Sequence, residues 1–209
     1  MGCGSSSAAD APKSETETQQ TTTTASPKNA ESQPKAASDK QPEAKSAKQE
    51  NSNDTESSFI DDAVKAHNEF RDMHGSPHIT HAQDLTDYSQ KWAEHLANTG
   101  KFDHSKCDLK GESIGENLAM MGGSGLSNKK AREYVKMWYD EIKDYHYYGS
   151  NPDMNQFMKF GHFTQLVWKE AKQIGVGMAI AKGQCVVVCN YRPAGNMMGD
   201  FADNVPKAL

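Results

Sequence analysis

The sequence predicts an α+β domain with a small, mainly antiparallel sheet, preceded by a disordered N-terminal tail. Three observations carry this expectation. Residues 4–57 contain no aromatic residue and no Leu, Ile or Val, whereas all 3 Trp, 7 Phe and 7 Tyr come later. Beyond that break, apolar residues recur at helical spacing. Nearer the C-terminus, Ile174–Ala181 and Cys185–Tyr191 flank Lys182-Gly183-Gln184, the pattern of a β-hairpin.

Residues 1–57 are built mostly from Ser, Thr, Ala, Gln, Glu, Lys, Pro and Asn. Such a stretch buries too little apolar surface to offset its ordering entropy, so it is expected to be disordered. The remaining roughly 150 residues suffice for one compact domain, expected over 58–205 with 206–209 as its C-terminal end. Ser58 is placed to cap a first helix that Gly75 ends, with Ile60, Ala63, Val64, His67, Phe70 and His74 on one apolar face. A second helix is expected from Asp84 to Thr99, with Leu85, Tyr88, Trp92, His95 and Leu96 inward and Gly100 as its stop. Residues 114–119 read as a short strand, and Gly122-Gly123-Ser124-Gly125 as a connector. A third helix begins near Ser127 and buries Ala131, Tyr134, Val135, Trp138 and Ile142. A long aromatic loop, a short helix over 162–168 and the hairpin complete the order.

Charge excludes one class of partner. The chain carries 23 Lys+Arg against 28 Asp+Glu, a net of −5, shared between the tail and the domain. Neither part has the positive excess that binding phosphate backbones requires, so nucleic acid is not expected. No apolar run is long enough to cross a bilayer, and the N-terminus lacks the apolar region of a secretory signal. Of the 4 Cys, Cys107, Cys185 and Cys189 fall in the domain. Cys185 and Cys189 are four apart on one strand, about 13 Å if extended, which is too far to bridge. A pairing of Cys107 with a strand cysteine stays open, and free thiols are the expectation.

Met1-Gly2-Cys3-Gly4-Ser5-Ser6 fits the N-myristoylation pattern. One acyl chain anchors only marginally, and the acidic tail offers no basic patch to help it. Palmitoylation of Cys3 would supply the second signal. Dual acylation at Gly2 and Cys3 would place the domain on the cytoplasmic face of Golgi or plasma membrane, on a flexible tether with a reach of roughly 40 Å.

Two C-terminal blocks, Gly161-His162-Phe163-Thr164-Gln165-Leu166-Val167-Trp168 and Cys189-Asn190-Tyr191-Arg192-Pro193-Ala194-Gly195-Asn196, are the most specific stretches of the chain. Together with His67-Asn68-Glu69-Phe70-Arg71 and Gly115-Glu116-Asn117-Leu118, they resemble the signatures of the CAP superfamily of cysteine-rich secretory, antigen 5 and pathogenesis-related proteins. The acylation motif and missing signal look most like its Golgi-associated plant pathogenesis-related branch, to which the long polar tail is an addition. The resemblance implies an α-β-α sandwich. It also implies a central cleft lined by His104, Glu116, Glu141 and His162, a donor set suited to Zn²⁺ or, without metal, to proton transfer.

The aromatic loop, with Tyr145, Tyr147, Tyr148, Phe157 and Phe160, resembles family loops implicated in lipid or sterol binding; packing of the loop on its own domain is the alternative. Three function classes compete. One is a membrane-anchored module for a lipid (anionic or sterol) or a protein partner. Another is a metal-dependent or His/Glu-assisted hydrolase, for which Ser105 and Ser124 are candidates only by proximity in sequence. The last is a scaffold that forms a homodimer. The interaction module is favoured, because no serine carries a nucleophile motif.

Overall fold

The computed structural model describes residues 46–209, with side chains described from residue 56 onward. A four-stranded sheet of order β1-β5-β6-β4 is sandwiched between one helix on one face and three on the other. Its strands are β1 (Thr80–His81), β4 (Gly115–Gly122), β5 (Gln173–Ala181) and β6 (Gln184–Arg192). The long strands are antiparallel and β1 is a short parallel addition to β5. A separate two-stranded hairpin joins β2 (Asp108–Leu109) to β3 (Glu112–Ser113).

The expected β5–β6 hairpin is present. Its turn is Lys182-Gly183, with φ of 52° and 73°. Two left-handed residues give the turn whose twist matches that of the strands it joins. The register sets Glu116 beside Asn190 and Gly175, and Asn117 beside Cys189 and Val176. Successive residues alternate faces, so these two rows point into different layers.

Helix α2 (Gln83–Thr99) covers the first face and ends where expected, at Gly100, whose φ is 75°. Its buried side is Leu85, Thr86, Ser89, Ala93, Leu96 and Ala97. That corrects the expected face: His95 is exposed, stacked on the half-buried Trp92. The cause lies in the strand beneath. A Cβ on Gly175 would stand 2.1 Å from the Leu85 carbonyl carbon, and one on Gly177 2.3 Å from the Gln90 nitrogen. Backbone approach this close demands small residues on the helix, so Ser89, Ala93 and Ala97 face inward.

Helices α1 (Ser46–Asp72), α3 (Ala131–Tyr139) and α4 (Gly161–Val167) cover the other face. The backbone of α1 begins twelve residues before the expected cap at Ser58. Its buried side includes Ile60, Ala63, Ala66, His67 and Arg71, and His74 is buried in the turn that follows. His74 packs inward, as its place in the apolar pattern predicted: its Nδ1 meets the Pro206 carbonyl at 2.8 Å and its Nε2 the Tyr139 hydroxyl at 3.1 Å. A 3-10 turn at Leu126–Asn128 precedes α3, and another at Asp140–Asp144 extends it. Short α5 (Phe201–Asn204) closes the chain against Trp168.

No helix among the described residues is long and apolar enough to cross a membrane. Met197 and Met198, after the last strand, are exposed. Asn196 does set a turn after the last strand: its φ is 59°, its amide donates to the Gly161 carbonyl at 2.9 Å, and it accepts from Thr164 Oγ1 at 2.6 Å.

Candidate functional site: two histidine–carboxylate pairs

His104 and Glu116 form the first pair. Glu116 lies on β4, on the face toward α2, with its side chain 0% exposed, while His104 sits on the loop after α2 and is 49% exposed. Glu116 Oε1 accepts from His104 Nδ1 at 2.8 Å and from the Ser105 backbone at 2.9 Å. Its Oε2 accepts from Asn190 Nδ2 at 3.2 Å. Asn190 is itself held, donating to the Gly115 carbonyl at 3.1 Å and accepting from Ser89 Oγ at 2.8 Å. A buried carboxylate needs such partners, and here β6 and the loop after α2 supply them.

His162 and Glu141 form the second pair, on the opposite layer. Glu141 follows α3 in the 3-10 turn and reaches the start of α4. Its Oε1 accepts from His162 Nδ1 at 2.7 Å, and its Oε2 from the backbone N–H groups of His162 at 3.0 Å and Phe163 at 3.3 Å. The carboxylate thus caps two unpaired N–H groups of α4 and orients the ring of its second residue. The His162 ring lies nearly parallel to Trp138, with centroids 6.3 Å apart.

Behind this pair runs a buried chain. Asn117 Nδ2 donates to the His162 carbonyl at 3.0 Å and to Tyr191 Oη at 3.1 Å. The Tyr191 hydroxyl is 2.8 Å from His67 Nε2, while His67 Nδ1 meets the Ala63 carbonyl at 2.8 Å. A carbonyl only accepts, so Nδ1 carries the proton and Tyr191 donates to Nε2. Burial holds this imidazole neutral, pushing its pKa down to about 4. His67 is therefore a hydrogen-bonded core residue, as its position on the apolar face of α1 suggested.

The structure thus arranges the four cleft residues as two pairs, one on each face of edge strand β4. In each pair Nδ1 faces a carboxylate. Neither Nε2 has a hydrogen-bond partner among the described residues. The tightest group of three ligand-type side chains among the described residues is different: His104, Cys107 and Glu116 each place a ligand atom within 4.8 Å of the others. Cys107 escaped the sequence reading, although His104-x-x-Cys107 with Glu116 nine residues on was a signal that could have drawn attention to it.

Two expectations need correction. Cys107 is disulfide-bonded, so among the described residues the expectation of free thiols holds for Cys185 and Cys189. Tyr145 and Phe160, expected to contact lipid, are 1% and 0% exposed. Tyr145 packs edge-on against Tyr147, Tyr148 and Phe160, and Phe157 against Phe160. The loop folds onto the core because its rings find one another there. Tyr147, Tyr148 and Phe157 are half-buried against that core, and Met158 is the loop's exposed apolar residue. Gly2 and Cys3, the expected acylation sites, lie outside the described residues.

Comparisons with known proteins agree with this architecture. The family model "CAP: Cysteine-rich secretory protein family" matches residues 64–191. The chain is 38% identical over 150 residues to Golgi-associated plant pathogenesis-related protein 1 of Homo sapiens, covering 70% of this chain and 92% of that protein. It is 36% identical to Protein PRY2 of Saccharomyces cerevisiae over 70% of this chain but only 41% of the yeast protein. Among solved structures, BmVAL-1 aligns with a TM-score of 0.56 and 26% identity, covering 67% of this chain and 79% of that one. NaASP2 with Zn²⁺ aligns at 0.55 and 24%, covering 73% and 86%. The sandwich, the paired signatures and these matches lead to one conclusion: the chain belongs to the CAP, or cysteine-rich secretory protein, family.

Proposed function

We propose that this protein is a membrane-tethered CAP module whose cleft binds a divalent cation, Zn²⁺ by donor type, and whose surface engages a lipid or protein partner. The observation that carries the metal reading is the shared use of Nδ1 by His104 and His162. Each ring gives Nδ1 to a carboxylate and keeps Nε2 for another ligand, the arrangement that orients metal-binding histidines. On this reading the histidines are the ligands, and Glu116 and Glu141 hold their rings. Glu116 already accepts three hydrogen bonds, which suits an orienting role. Two protein nitrogens would leave positions for water or for a group on a partner. NaASP2, solved with Zn²⁺, shares the fold; the assignment here rests on the donor set.

A binding role is favoured over hydrolysis because neither candidate serine meets a base among the described residues. Ser105 Oγ bonds the Tyr88 hydroxyl at 3.0 Å and the Cys107 sulfur at 3.7 Å, and Ser124 is exposed in a connector. Calorimetric titration of the oxidised full chain with Zn²⁺ should show one site, lost when His104 and His162 are both changed to Ala. Glu141→Gln should weaken it roughly 10–100-fold. Binding by the double variant equal to the parent's would overturn the assignment.

The tether rests on the Gly2 and Cys3 motif, and the Golgi as its address on the name of the human relative. Gly2→Ala should move the protein from the membrane to the soluble fraction of disrupted cells. An undiminished membrane fraction would sink the acylation reading.

A further inference from the structure

We propose that Tyr88 and Trp92 are positioning residues for His104: from one rim of α2 they clamp the chain on both sides of it and so fix which ring nitrogen the cleft receives. Trp92 Nε1 donates to the Asp103 carbonyl at 3.1 Å, and the Tyr88 hydroxyl donates to Ser105 Oγ at 3.0 Å. The residue before His104 and the residue after it are therefore both tied to the same helix. Tyr88 and Trp92 stand four apart on α2, so they lie one above the other on a single face.

The clamp is seated around Glu116. Tyr88 packs against the cluster that contains Ile114, and Trp92 against the cluster that contains Leu118. Leu118, two residues along β4 from Glu116, shares its face, and Ile114 lies two residues before Glu116. The two rings thus bracket the carboxylate that His104 meets. His95 is exposed and stacks on the Trp92 indole, with centroids 4.7 Å apart, which helps to hold that ring in place. Ser105 is tied a second time, its N–H donating to Glu116 Oε1 at 2.9 Å beside the 2.8 Å bond from His104 Nδ1.

His104 depends on this support. Its side chain is 49% exposed, on a segment without regular secondary structure between α2 and β2. A half-exposed loop imidazole loses backbone and rotamer freedom when a ligand fixes it, and that entropy weakens binding unless folding has already fixed the ring. His162 differs, because it starts α4 and Glu141 holds both its ring and its backbone. With Asp103 and Ser105 anchored, His104 keeps little freedom beyond its own side chain, and its Nδ1–H meets Glu116. A free imidazole in water prefers its proton on Nε2. The clamp reverses that preference and leaves Nε2 bare for a cation. What the clamp does for Zn²⁺ rests on the cation reading of the cleft; the clamp itself rests on these contacts.

Two readouts separate these. Trp92→Phe and Tyr88→Phe each keep an aromatic ring and remove one hydrogen-bond donor. Heteronuclear NMR of the imidazole nitrogens in the metal-free full chain reports the tautomer of neutral His104, assigned by comparison with His104→Gln. The parent should carry the proton on Nδ1. The double variant, with folding confirmed by circular dichroism, should shift toward the Nε2–H form; the single variants carry the same reading in smaller degree. A role in packing alone would lower the unfolding midpoint without moving the tautomer. In Zn²⁺ titrations each single variant should bind about tenfold more weakly than the parent, the low end for residues that orient a metal ligand. Glu141→Gln, acting on the other pair, should leave the His104 tautomer unchanged. Folded variants in which His104 keeps its Nδ1 proton overturn the proposal, and so do variants that bind Zn²⁺ as tightly as a binding parent. A parent that binds no Zn²⁺ sinks the cation reading, and the tautomer in the variants then decides the clamp alone.

Discussion

Replacing Arg71 by Met is expected to lower stability by about 3–5 kcal/mol, the cost of breaking a buried charge network. Arg71 is 0% exposed, and its partners are main-chain carbonyls. Its Nε donates to Pro77 at 2.7 Å, one terminal nitrogen to Leu166 and Trp168 at 2.9 Å each, and the other to Ala171 at 3.0 Å. Met fills similar volume but takes the side-chain donor from the Pro77, Leu166 and Ala171 carbonyls and leaves Trp168 only the Ala171 N–H, and unpaired buried acceptors are expensive. Burial already strains the charge, pushing the guanidinium's pKa down to about 10. The carbonyls come from the turn after α1 and the segment between α4 and β5, so one side chain pins two distant stretches together. Arg71→Lys should not rescue, because one ammonium cannot span a fork of four acceptors. For a domain of this size the loss corresponds to a midpoint lower by roughly 6–20 °C. Thermal and urea unfolding would check it; a change below about 1 kcal/mol would show that water satisfies those carbonyls.

Gly175→Val is expected to cost about 3 kcal/mol or more, the upper range for overpacking. The added Cβ would fall 2.1 Å from the Leu85 carbonyl carbon and 2.2 Å from the Thr86 nitrogen. Both are backbone atoms, so no rotamer change relieves the clash and α2 must lift from the sheet. Lifting α2 also carries Ser89 away from Asn190, and through Asn190 it loosens Glu116. A lower unfolding midpoint should therefore come with weaker Zn²⁺ binding. Val at Gly183, where nothing stands within 4 Å, tests turn strain without that clash; it should leave metal affinity unchanged. Equal metal affinity in Gly175→Val and the parent would argue that the helix does not support the site.

Much of this fold was legible in the chain, and the exceptions share a cause. The hairpin around Lys182-Gly183 and the stop at Gly100 are local events, written in residues that adopt left-handed φ readily. The inward face of α2 is not local. It depends on Gly175 and Gly177, some eighty residues away, which turned Ala93 and Ala97 inward and left His95 outside. The four cleft residues were visible only through signature blocks, since their spacings carry no pattern of their own. Their pairing through Nδ1 required coordinates. The aromatic loop shows the limit most clearly: Tyr145 and Phe160 would read alike whether their rings met lipid or each other.

The way the sheet ends bears on self-association. Beyond the two residues covered by β1, the outer edge of β5 is met by side chains of α2. Val176 N–H donates to Thr86 Oγ1 at 3.1 Å, and Gln90 both accepts from Met178 N–H at 2.8 Å and donates to its carbonyl at 3.0 Å. At the opposite margin, Trp138 Nε1 occupies the Leu118 carbonyl at 3.0 Å. Polar side chains thus stand where a foreign strand would have to dock. Crowded side by side, copies of this protein would find little invitation to zip into a continuous sheet. A dimer would have to meet through helix and loop surfaces.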